Sequence, residues 1–406
     1  MTRCRICDGG IAAFMSFGRM PIANGFLTAA ELPDEYFYEL APAVCSRCGM
    51  FQLIEQPAPE RMFHTQYAFY SATSRHMQGH FERFAHAVMA GPLAGRSDPF
   101  VVEIGSNDGS MLRHFAAAGI RHLGIEPSAN VADAARAVGI ETLTAFFDEE
   151  LAGQVADTHG PADVVLATNA LCHIGDLAGV ARGVARLLKP DGVFIFEDPY
   201  LGAMIEKAAY DQIYDEHVFM FSATSVRYAF ALHGFDLIDV EPQPTHGGSM
   251  RYTLARGGEG ASPRVAEWLA REQAQGLDRA ETYHRFRQSC ERSRGELMRL
   301  LDDLRRQGKR VAGYGATSKS ATVTNYCGIT PAHVDYIADT TPIKQGRLSP
   351  GAHIPVRPYD EFARDHPDYA LLFAWNHEAE IREKEAAFLD RGGRFIRYVP
   401  DVRIVS

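Results

Sequence analysis

The stretch that decides the fold is "DPFVVEIGSNDGSMLRHFAAAG", residues 98–119. It begins with an apolar strand at residues 100–104, passes through a glycine turn at residues 105–109, and continues as a helix whose apolar residues recur on one side. Strand, glycine turn and helix in this order are typical of the first unit of a nucleotide-binding domain. The stretch therefore predicts an α/β domain with a mostly parallel sheet covered by helices.

The next strand, in "HLGIEP", ends in Glu126, 21 residues after Gly105. An acidic side chain at this position can accept hydrogen bonds from both ribose hydroxyls of an adenosine. Asp108 would repel a pyrophosphate at the turn, whereas S-adenosylmethionine carries no phosphate, so the acid is tolerated and can face its amino acid portion. Glu103, Gly105, Gly109 and Glu126 together resemble motif I and the acidic strand end of class I methyltransferases.

The prediction of this cofactor extends to the neighbours of these residues. The predicted contacts of S-adenosylmethionine are Glu103, Gly105, Ser106, Asn107, Asp108, Gly109, Glu126, Pro127 and Asn169. Phe146 or Phe147 offers a wall for adenine, although two adjacent aromatic residues are more often core. The alternatives are an ordinary strand-to-helix turn at the glycines and a solvated strand end at Glu126.

Composition and charge argue against several classes of protein. The chain has 406 residues, enough for two or three domains of about 100 to 200 residues. A formal net charge of −10 and a pI near 5.9 argue against sequence-independent binding of nucleic acid, which depends on clustered Lys and Arg. No apolar run approaches the roughly 18 residues of a membrane helix, and "MTRCRICDGG" has no signal-peptide core. We therefore expect a cytoplasmic protein that binds neither nucleic acid nor membranes, and we leave its oligomeric state open.

Four cysteines form two pairs near the N-terminus, Cys4-x2-Cys7 and Cys45-x2-Cys48. Each pair can form a tight turn that directs two thiolates at one tetrahedral ion, so the four predict a structural Zn²⁺ with no open position. Four reduced thiols in a small domain are the alternative. A zinc ion would stabilise a segment too small to bury a good core. Such a structural site does not indicate which reaction the protein catalyses.

The rest of the pattern predicts three domains. Strand and helix units follow in "ADVVLATNALCHIGD" and "DGVFIFEDPY", before a closing strand pair in "HGFDLIDVEPQ" and "GGSMRYTLAR". A polar helical region then leads to a second strand, glycine turn and helix in "GKRVAGYGATSKSATVTNYCGI". We expect a zinc-binding domain at residues 1–66, a Rossmann-like methyltransferase domain at 67–258 and a second Rossmann-like α/β domain at 259–406.

The stretch "YDQIYDEHVFMFS", residues 210–222, places acids, tyrosines and a histidine before an apolar run. Methyl transfer to oxygen or nitrogen needs at most a base, whereas transfer to carbon needs an enolate, and therefore a base together with an oxyanion stabiliser. His217 is the natural base, Glu216 can orient it or set its basicity, and Tyr214 can donate a hydroxyl. A helix end with a capped histidine and solvated acids is the alternative.

Together, the two Cys pairs, "EIGSNDG", "NALCHI", "YDEHVFMFS" and "GYGATSK" resemble the sugar C-methyltransferases that act on nucleotide-linked 4-keto-6-deoxysugars, over essentially the whole length. The active-site residues that the resemblance implies are the general base His217, with Tyr214, Glu216, Asn169, His173 and Tyr70. Asn169 and His173 follow a strand, at the end where open α/β sheets bind ligands. The resemblance places Tyr70 as a hydroxyl that closes the site from the N-terminal side, and it implies zinc at the Cys quartet.

The second glycine turn, "GYGATSK", resembles a degenerate copy of the nucleotide-binding fold. Its backbone amides and the charge of Lys319 could hold the phosphates of a sugar nucleotide. We predict that Tyr314, Ser318 and Lys319 bind substrate, with Asp339 as a further candidate for ribose. A lysine in the first turn of a purely structural domain is the alternative.

The sequence thus predicts methylation at C-3 of a dTDP- or GDP-linked 4-keto-6-deoxysugar, with S-adenosylmethionine as donor and no catalytic metal. His217 would remove the C-3 proton, and His173, Tyr214 or Asn169 would stabilise the enolate oxygen. Two other functions remain alternatives. One is an O- or N-methyltransferase of a small molecule, and the other is a zinc-containing RNA-modifying or RNA-binding protein.

Overall fold

The computed structural model describes residues 2–64, 67–71, 74–257 and 260–405. The predicted domain limits fall on residues 66, 258 and 259, which lie outside these described residues, so the limits stay a prediction. Within the described ranges, no helix combines the length and the apolar composition needed to cross a membrane.

The N-terminal region is made of short strands, since its sequence lacks helical periodicity. Its elements are β1 (Thr2–Arg3), β2 (Gly10–Ile11), β3 (Arg19–Pro21), β4 (Phe37–Glu39), β5 (Pro42–Val44), β6 (Phe51–Leu53) and α1 (Pro59–Met62). Strands β5 and β6 form an antiparallel hairpin across the turn that holds Cys45 and Cys48. Gly49 has the positive φ of +70° that this turn requires. Both cysteines of the second pair are therefore fixed by a hairpin.

The central region is an α/β domain, as predicted. Its elements are α2 (Arg75–Ala90), β7 (Phe100–Ile104), α3 (Leu112–Ala117), β8 (Arg121–Ile125), α4 (Ala129–Ala137), β9 (Thr142–Leu143), α5 (Glu149–His159), β10 (Ala162–Thr168), α6 (Leu177–Leu187), β11 (Leu188–Pro199), α7 (Leu201–Lys207), β12 (Phe219–Met220), α8 (Ala223–Ala231), β13 (Phe235–Gln243) and β14 (Ser249–Arg256). One sheet has the order β13-β14-β11-β10-β7-β8-β9, with parallel pairing from β11 to β9 and antiparallel pairing of β13 with β14 and of β14 with β11.

Helices cover both faces of this sheet. Alternate residues of β7 belong to different apolar clusters, because successive side chains of a strand point to opposite faces. Val101 packs in the cluster that includes Phe84 of α2, and Val102 packs in the cluster that includes Val184 of α6. All five residues of β7 are buried, which explains why its sequence is an apolar run rather than an alternation.

The C-terminal region starts with two long polar helices and continues as a second α/β domain. Its elements are α9 (Pro263–Gln275), α10 (Ala280–Arg306), β15 (Val311–Tyr314), α11 (Ser318–Cys327), β16 (Ile337–Asp339), β17 (Val356–Pro358), α12 (Tyr359–Arg364), β18 (Tyr369–Leu372), α13 (Glu378–Lys384), α14 (Ala386–Asp390), β19 (Arg394–Arg397) and β20 (Arg403–Val405). The sheet order is β17-β16-β15-β18-β19-β20, parallel except for the last pair. The central strand β15 leads into the second glycine turn, as the sequence predicts.

The segment that contains His217 lies between all three regions. It begins with a short 3₁₀ turn, Tyr210–Gln212, and ends in β12, which pairs with β6 of the N-terminal hairpin. The hydroxyl of Thr322, on α11, donates a hydrogen bond to the backbone oxygen of Ile213 at 2.8 Å. The alternative of a solvated helix end is wrong, because Glu216 is 2% exposed and His217 is 5% exposed.

Candidate active site

A cavity of about 1070 Å³ opens between the three regions. The glycine turn after β7 lines one part of its wall, and the glycine turn after β15 lines another. The predicted site residues that line this cavity are Tyr70, Gly105, Asn107, Glu126, Pro127, Asn169, His173, Tyr214, Glu216, His217, Tyr314, Ser318 and Lys319. The fold thus brings the predicted base, cofactor turn and substrate turn to one chamber.

His217 is held by two hydrogen bonds that determine its tautomer. Its Nδ1 lies 2.7 Å from the backbone oxygen of Gln212, which can only accept, so Nδ1 carries the proton. Burial, and next the neighbouring His173, hold the pKa of His217 well below its usual range, so the ring is neutral. Nε2 is then unprotonated and accepts a hydrogen bond from the hydroxyl of Tyr214 at 2.7 Å. A neutral imidazole with an unprotonated Nε2 is the form that can take a proton.

Glu216 faces the cavity but does not bond to His217. Its carboxylate accepts hydrogen bonds from Asn24 Nδ2 at 2.6 Å and from the Tyr67 hydroxyl at 3.1 Å. Both nitrogens of His217 are occupied by Gln212 and Tyr214. The expectation that Glu216 directly orients the imidazole is therefore wrong, since a backbone carbonyl does so. Burial raises the pKa of Glu216, and the donors Asn24 and Tyr67 oppose that rise.

His173 and Asn169 lie at the carboxyl end of β10, as predicted. The rings of His173 and His217 are nearly parallel, with centroids 5.4 Å apart and an interplanar angle of 18°. Burial lowers the pKa of His173 to about 4, and its Nε2 has no hydrogen-bond partner among the described residues. Asn169 has a φ of +53°, and its buried Oδ1 likewise lacks a described partner. Both side chains therefore offer polar atoms to a bound molecule.

The cofactor side of the cavity fits S-adenosylmethionine. Gly105 has a φ of +69°, and a Cβ there would come 2.5 Å from the Cβ of Ala170, so this turn needs glycine. The carboxylate of Glu126 accepts hydrogen bonds from the backbone N–H groups of Asn107 at 3.0 Å and Ser128 at 2.8 Å. Each oxygen keeps a further acceptor site for a ribose hydroxyl. Phe146, 44% exposed, lines the same wall, where it can cover an adenine.

Four of the predicted cofactor contacts do not line the cavity: Glu103, Ser106, Asp108 and Gly109. Asp108 accepts hydrogen bonds from Ser110 within its own turn, and its contact with the cofactor stays a prediction. A Cβ on Gly109 would lie 2.9 Å from Ile140 Cγ1, so this glycine permits close packing of the turn. Burial raises the pKa of Glu103 well above its usual range. These residues build the turn, and their neighbours line the cavity.

Tyr70 lies at the cofactor side of the cavity rather than beside the base. Its hydroxyl accepts a hydrogen bond from Asn130 Nδ2, on α4, at 2.8 Å. Tyr67, three residues earlier, is the tyrosine whose hydroxyl reaches Glu216. The predicted closure of the site from the N-terminal side therefore involves both tyrosines, with Tyr67 directed at the base segment.

The substrate side is formed by the turn after β15. The hydroxyl of Ser318 accepts a hydrogen bond from Asn24 Nδ2 at 2.8 Å. Tyr314 lines the wall, but its own hydroxyl donates to Glu385 at 2.6 Å. The amine of Lys319 donates to Asn376 Oδ1 at 3.2 Å. Asp339 accepts hydrogen bonds from the backbone N–H groups of Ala316 and Thr341, so it shapes the turn as well as facing the cavity.

The Cys quartet fits a structural zinc. The ligand atoms of Cys4, Cys7, Cys45 and Cys48 all lie within 4.8 Å of one another. The Sγ–Sγ distances are 3.5 Å for Cys4 and Cys48 and 3.4 Å for Cys7 and Cys45. A tetrahedral ion with Zn–S bonds of about 2.3 Å separates its sulfur ligands by about 3.8 Å. Gln52 Nε2 also donates to Cys4 Sγ at 3.1 Å, a hydrogen bond that suits a zinc-bound thiolate.

Sequence reasoning missed several residues that the fold brings to the site. They include Asn24, Tyr67, Gln212, His246 and Asn376, all of which line the cavity. Tyr67 and Gln212 stand within stretches that the sequence had already singled out. Asn24, in "PIANGF", and Asn376 belong to no pattern that marks them, because their role depends on contacts between distant regions.

Comparison with known proteins agrees with this arrangement. Three family models match the chain: a zinc binding domain over residues 4–63, a methyltransferase domain over residues 73–240, and a C-methyltransferase C-terminal domain over residues 244–400. The class I methyltransferase fold, the N-terminal zinc-binding domain and the second C-terminal α/β domain are thereby confirmed, as are S-adenosylmethionine and zinc as cofactors.

Individual relatives include C-methyltransferase NovU of Streptomyces niveus, 36% identical over 412 residues, with coverage of 99% of this chain and 96% of the relative. Dimethylglycine N-methyltransferase of Parasynechococcus marenigrum (strain WH8102) is 40% identical over 62 residues, 15% of this chain and 22% of the relative. The solved structure of magnesium protoporphyrin IX methyltransferase from Synechocystis PCC 6803 is 17% identical and covers 45% of this chain and 81% of that chain, with a TM-score of 0.34. By its full-length similarity to NovU, the chain belongs to the C-methyltransferase family and is an S-adenosylmethionine-dependent C-methyltransferase.

Proposed function

We propose that the enzyme methylates C-3 of a nucleotide-linked 4-keto-6-deoxysugar through an enolate, with His217 as the base. The observation that carries this proposal is the neutral His217, whose unprotonated Nε2 faces a cavity shared by the cofactor turn and the second glycine turn. A neutral imidazole base suits proton removal beside a ketone, because the carbonyl itself makes that proton acidic.

S-adenosylmethionine supplies an electrophilic methyl group when bound at the turn after β7. Glu126 would hold its ribose hydroxyls, and the backbone beside Gly105 would lie against it. Asn169 stands between this turn and the base segment, with its Oδ1 available. The methyl group and the proton-abstracting nitrogen would thus lie in the same chamber, which is the arrangement that makes transfer to carbon faster than reprotonation by water.

The residues around His217 would manage the proton and the oxyanion. Nε2 takes the C-3 proton, and an imidazolium forms. The carbonyl of Gln212 stabilises this imidazolium by accepting the hydrogen bond from Nδ1–H. The Tyr214 hydroxyl, which donates to Nε2 in the resting site, must first turn to the C-4 oxygen, so that the lone pair of Nε2 is free to take the C-3 proton. His173 and Asn169 line the same wall as further polar contacts to the sugar.

We also propose the placement of the substrate and the division of the chain. The nucleotide would lie along the turn that holds Tyr314, Ser318 and Lys319, with Asp339 near its ribose. The domain limits at residues 66 and 258 fit the change from the zinc hairpin to the central sheet and from the central sheet to α9. The nucleotide attached to the sugar would be of the dTDP or GDP type.

Solvent exchange at C-3 tests the proposal. Wild-type enzyme and His217→Asn are incubated in D₂O with dTDP- and GDP-linked 4-keto-6-deoxysugars, with and without S-adenosylmethionine. We expect deuterium at C-3 and a new carbon-bound methyl group by mass spectrometry with the wild type, and neither with the variant. Binding of S-adenosylmethionine to His217→Asn, measured by calorimetry, is the control for folding.

The outcomes separate the competing functions. Methyl transfer without exchange of a carbon-bound proton would favour methylation of oxygen or nitrogen. Full exchange by His217→Asn would remove His217 as the base. An absence of both signals across the substrate panel would overturn the proposed substrate class, while leaving the methyltransferase fold unchanged.

A further inference from the structure

We propose that Lys319 supplies the positive charge that stabilises the enolate oxygen, and that it acts in catalysis rather than as a holder of the nucleotide phosphates. This assignment rests on the proposed function. It departs from the sequence-based expectation, which placed Lys319 at the phosphates because it follows a glycine turn.

The position of Lys319 in the fold supports this role. The residue before it, Ser318, accepts a hydrogen bond from Asn24, whose amide also donates to Glu216. Three residues after it, Thr322 donates to the backbone oxygen of Ile213. The turn of α11 that carries Lys319 is therefore attached on both sides to the segment that carries His217. Its side chain enters the cavity next to the base.

The amine of Lys319 is buried but has capacity for a ligand. Lys319 is 8% exposed and lines the cavity. Its amine donates to Asn376 Oδ1 and lies 5.2 Å from the centroid of the Trp375 ring. In the described part of the chain, it has no carboxylate partner within the 4.0 Å limit of an ion pair. An ammonium has three N–H donors, so donors remain for an oxyanion.

Asp211 opposes the effect of burial on the charge of Lys319. Burial lowers the pKa of Lys319, and the carboxylate of Asp211 raises it again. That carboxylate is fixed by Trp375 Nε1 at 2.6 Å and by the Tyr398 hydroxyl at 2.8 Å. Since these donors stabilise a carboxylate, Asp211 acts as a positioned counter-charge behind the lysine. Asp211 itself belongs to the base segment, which again places Lys319 beside His217.

The other basic groups that line the cavity are poor substitutes for this charge. Burial lowers the pKa of His173 to about 4 and that of His246 to about 3, so both imidazoles are neutral. The amine of Lys344 donates to the backbone oxygen of Ala316, and Lys384 lies 3.5 Å from the centroid of the Tyr359 ring. A full positive charge in a buried site stabilises a developing anion more than a neutral donor does.

The step balances as follows. The C-3 proton moves to His217 Nε2, the electron pair of the C–H bond forms the C-3 to C-4 double bond, and the carbonyl electrons move onto the C-4 oxygen. Lys319 donates a hydrogen bond to that oxygen without giving up its proton. When C-3 then forms its bond to the methyl group, the C-4 carbonyl is restored and S-adenosylhomocysteine is the leaving group.

Lys319→Met tests the assignment, because it keeps the shape of the side chain up to Cε and removes the charged amine. We expect C-3 exchange at saturating ketosugar nucleotide to fall about 100-fold or more, while the Kd of the matching nucleoside diphosphate changes less than about threefold. Lys319→Arg should recover part of the exchange rate. Lys309→Met removes an equal charge from outside the cavity, where Lys309 pairs with Asp368, and should keep exchange at saturation near that of the wild type.

Each outcome decides the assignment. A weakened Kd with normal exchange at saturation would place Lys319 at the phosphates and overturn it. Equal losses in Lys319→Met and Lys309→Met would show a general charge effect and also overturn it. If Lys319→Met loses its fold by thermal melting, Lys319→Arg and Lys319→Gln give the same comparison. If the wild-type enzyme shows no exchange, both the proposed function and this assignment are overturned. Exchange that survives in Lys319→Met is a different result, which overturns this assignment alone.

Discussion

Asn24 and Glu216 are 192 residues apart in the chain, and Asn24 Nδ2 donates to Glu216 Oε1 at 2.6 Å. The same amide nitrogen lies 2.8 Å from the hydroxyl of Ser318. One side chain therefore joins the N-terminal zinc-binding region, the base segment and the second glycine turn. The adjacent backbone N–H of Ala23 also donates to Asp215 Oδ1 at 3.0 Å. The N-terminal region is thus part of the wall of the active site.

Asn24→Ala should lower kcat about tenfold, the effect of losing hydrogen bonds worth about 1.4 kcal/mol. The loss would act through Glu216 and Ser318, which both lose a donor. Affinity for S-adenosylmethionine should stay unchanged, because the side chain of Asn24 bonds to Glu216 and Ser318, which lie outside the cofactor turn. Steady-state kinetics and calorimetry measure the two effects. Ser16→Ala, which removes an exposed hydroxyl bonded to Glu39 in the same region, is the matched control.

Tyr214→Phe removes the hydroxyl that donates to His217 Nε2. We expect kcat to fall about 10- to 100-fold, because the base loses its partner and the enolate loses a donor, each in a buried site. The ring that packs 4.1 Å from the centroid of His217 is retained, so the fold should persist. Exchange at C-3 in D₂O reports the step directly. A variant with wild-type exchange would show that the hydroxyl only packs against the imidazole.

The acid limb of the pH profile of kcat should lie at a pH below the ordinary pKa of histidine. Burial, and next His173, lower the pKa of His217, and the base acts in its unprotonated form. As pH falls through about 6.5, the ordinary pKa of histidine, His217 stays neutral and kcat should hold. The loss should come only at lower pH, where Nε2 becomes protonated. A profile of kcat at saturating substrates from about pH 5 to about pH 8 checks this, and a midpoint near 6.5 would contradict it.

Gly105→Ala should abolish binding of S-adenosylmethionine. The new Cβ would lie 2.5 Å from Ala170 Cβ, and the φ of +69° is strained for alanine, so the turn must move. We expect affinity to fall at least about 100-fold, since a displaced turn removes several contacts together. Gly119→Ala is the control, because its φ is +71° but a Cβ there meets nothing within 4 Å. Calorimetry with both variants separates backbone strain from the loss of the site.

Removal of zinc should disturb the base segment before the cofactor site. The hairpin that holds Cys45 and Cys48 pairs with β12, which follows His217, and the N–H of Leu53 donates to the oxygen of Val218 at 2.9 Å. Cys45→Ser should lose zinc by metal analysis, lose protection of these amides in hydrogen exchange, and lose C-3 exchange. Binding of S-adenosylmethionine should be retained. Restored protection on adding zinc to chelated wild type is the control.

Local patterns in the sequence were sufficient for the architecture. The apolar run of β7, the glycine turn and Glu126 predicted the cofactor half, since strand burial and turn geometry depend on neighbouring residues. The spacing of the two Cys pairs predicted the quartet, because a tight turn holds two thiolates together wherever it occurs. Within the turn itself, the structure adds a hydrogen bond to Asp108 and close packing at Gly109, which the sequence did not predict.

The sequence by itself therefore determined the three-part α/β architecture, the two glycine turns and the identity of His217 as the candidate base. Only the tertiary structure decided what surrounds that base. The carbonyl of Gln212 rather than Glu216 sets its tautomer, Asn24 bonds to the neighbouring Glu216, and Lys319 lines the same cavity. These relationships have no local signal, because they arise when three regions that are distant in sequence pack around one buried segment, where burial and hydrogen bonds together shift the pKa values.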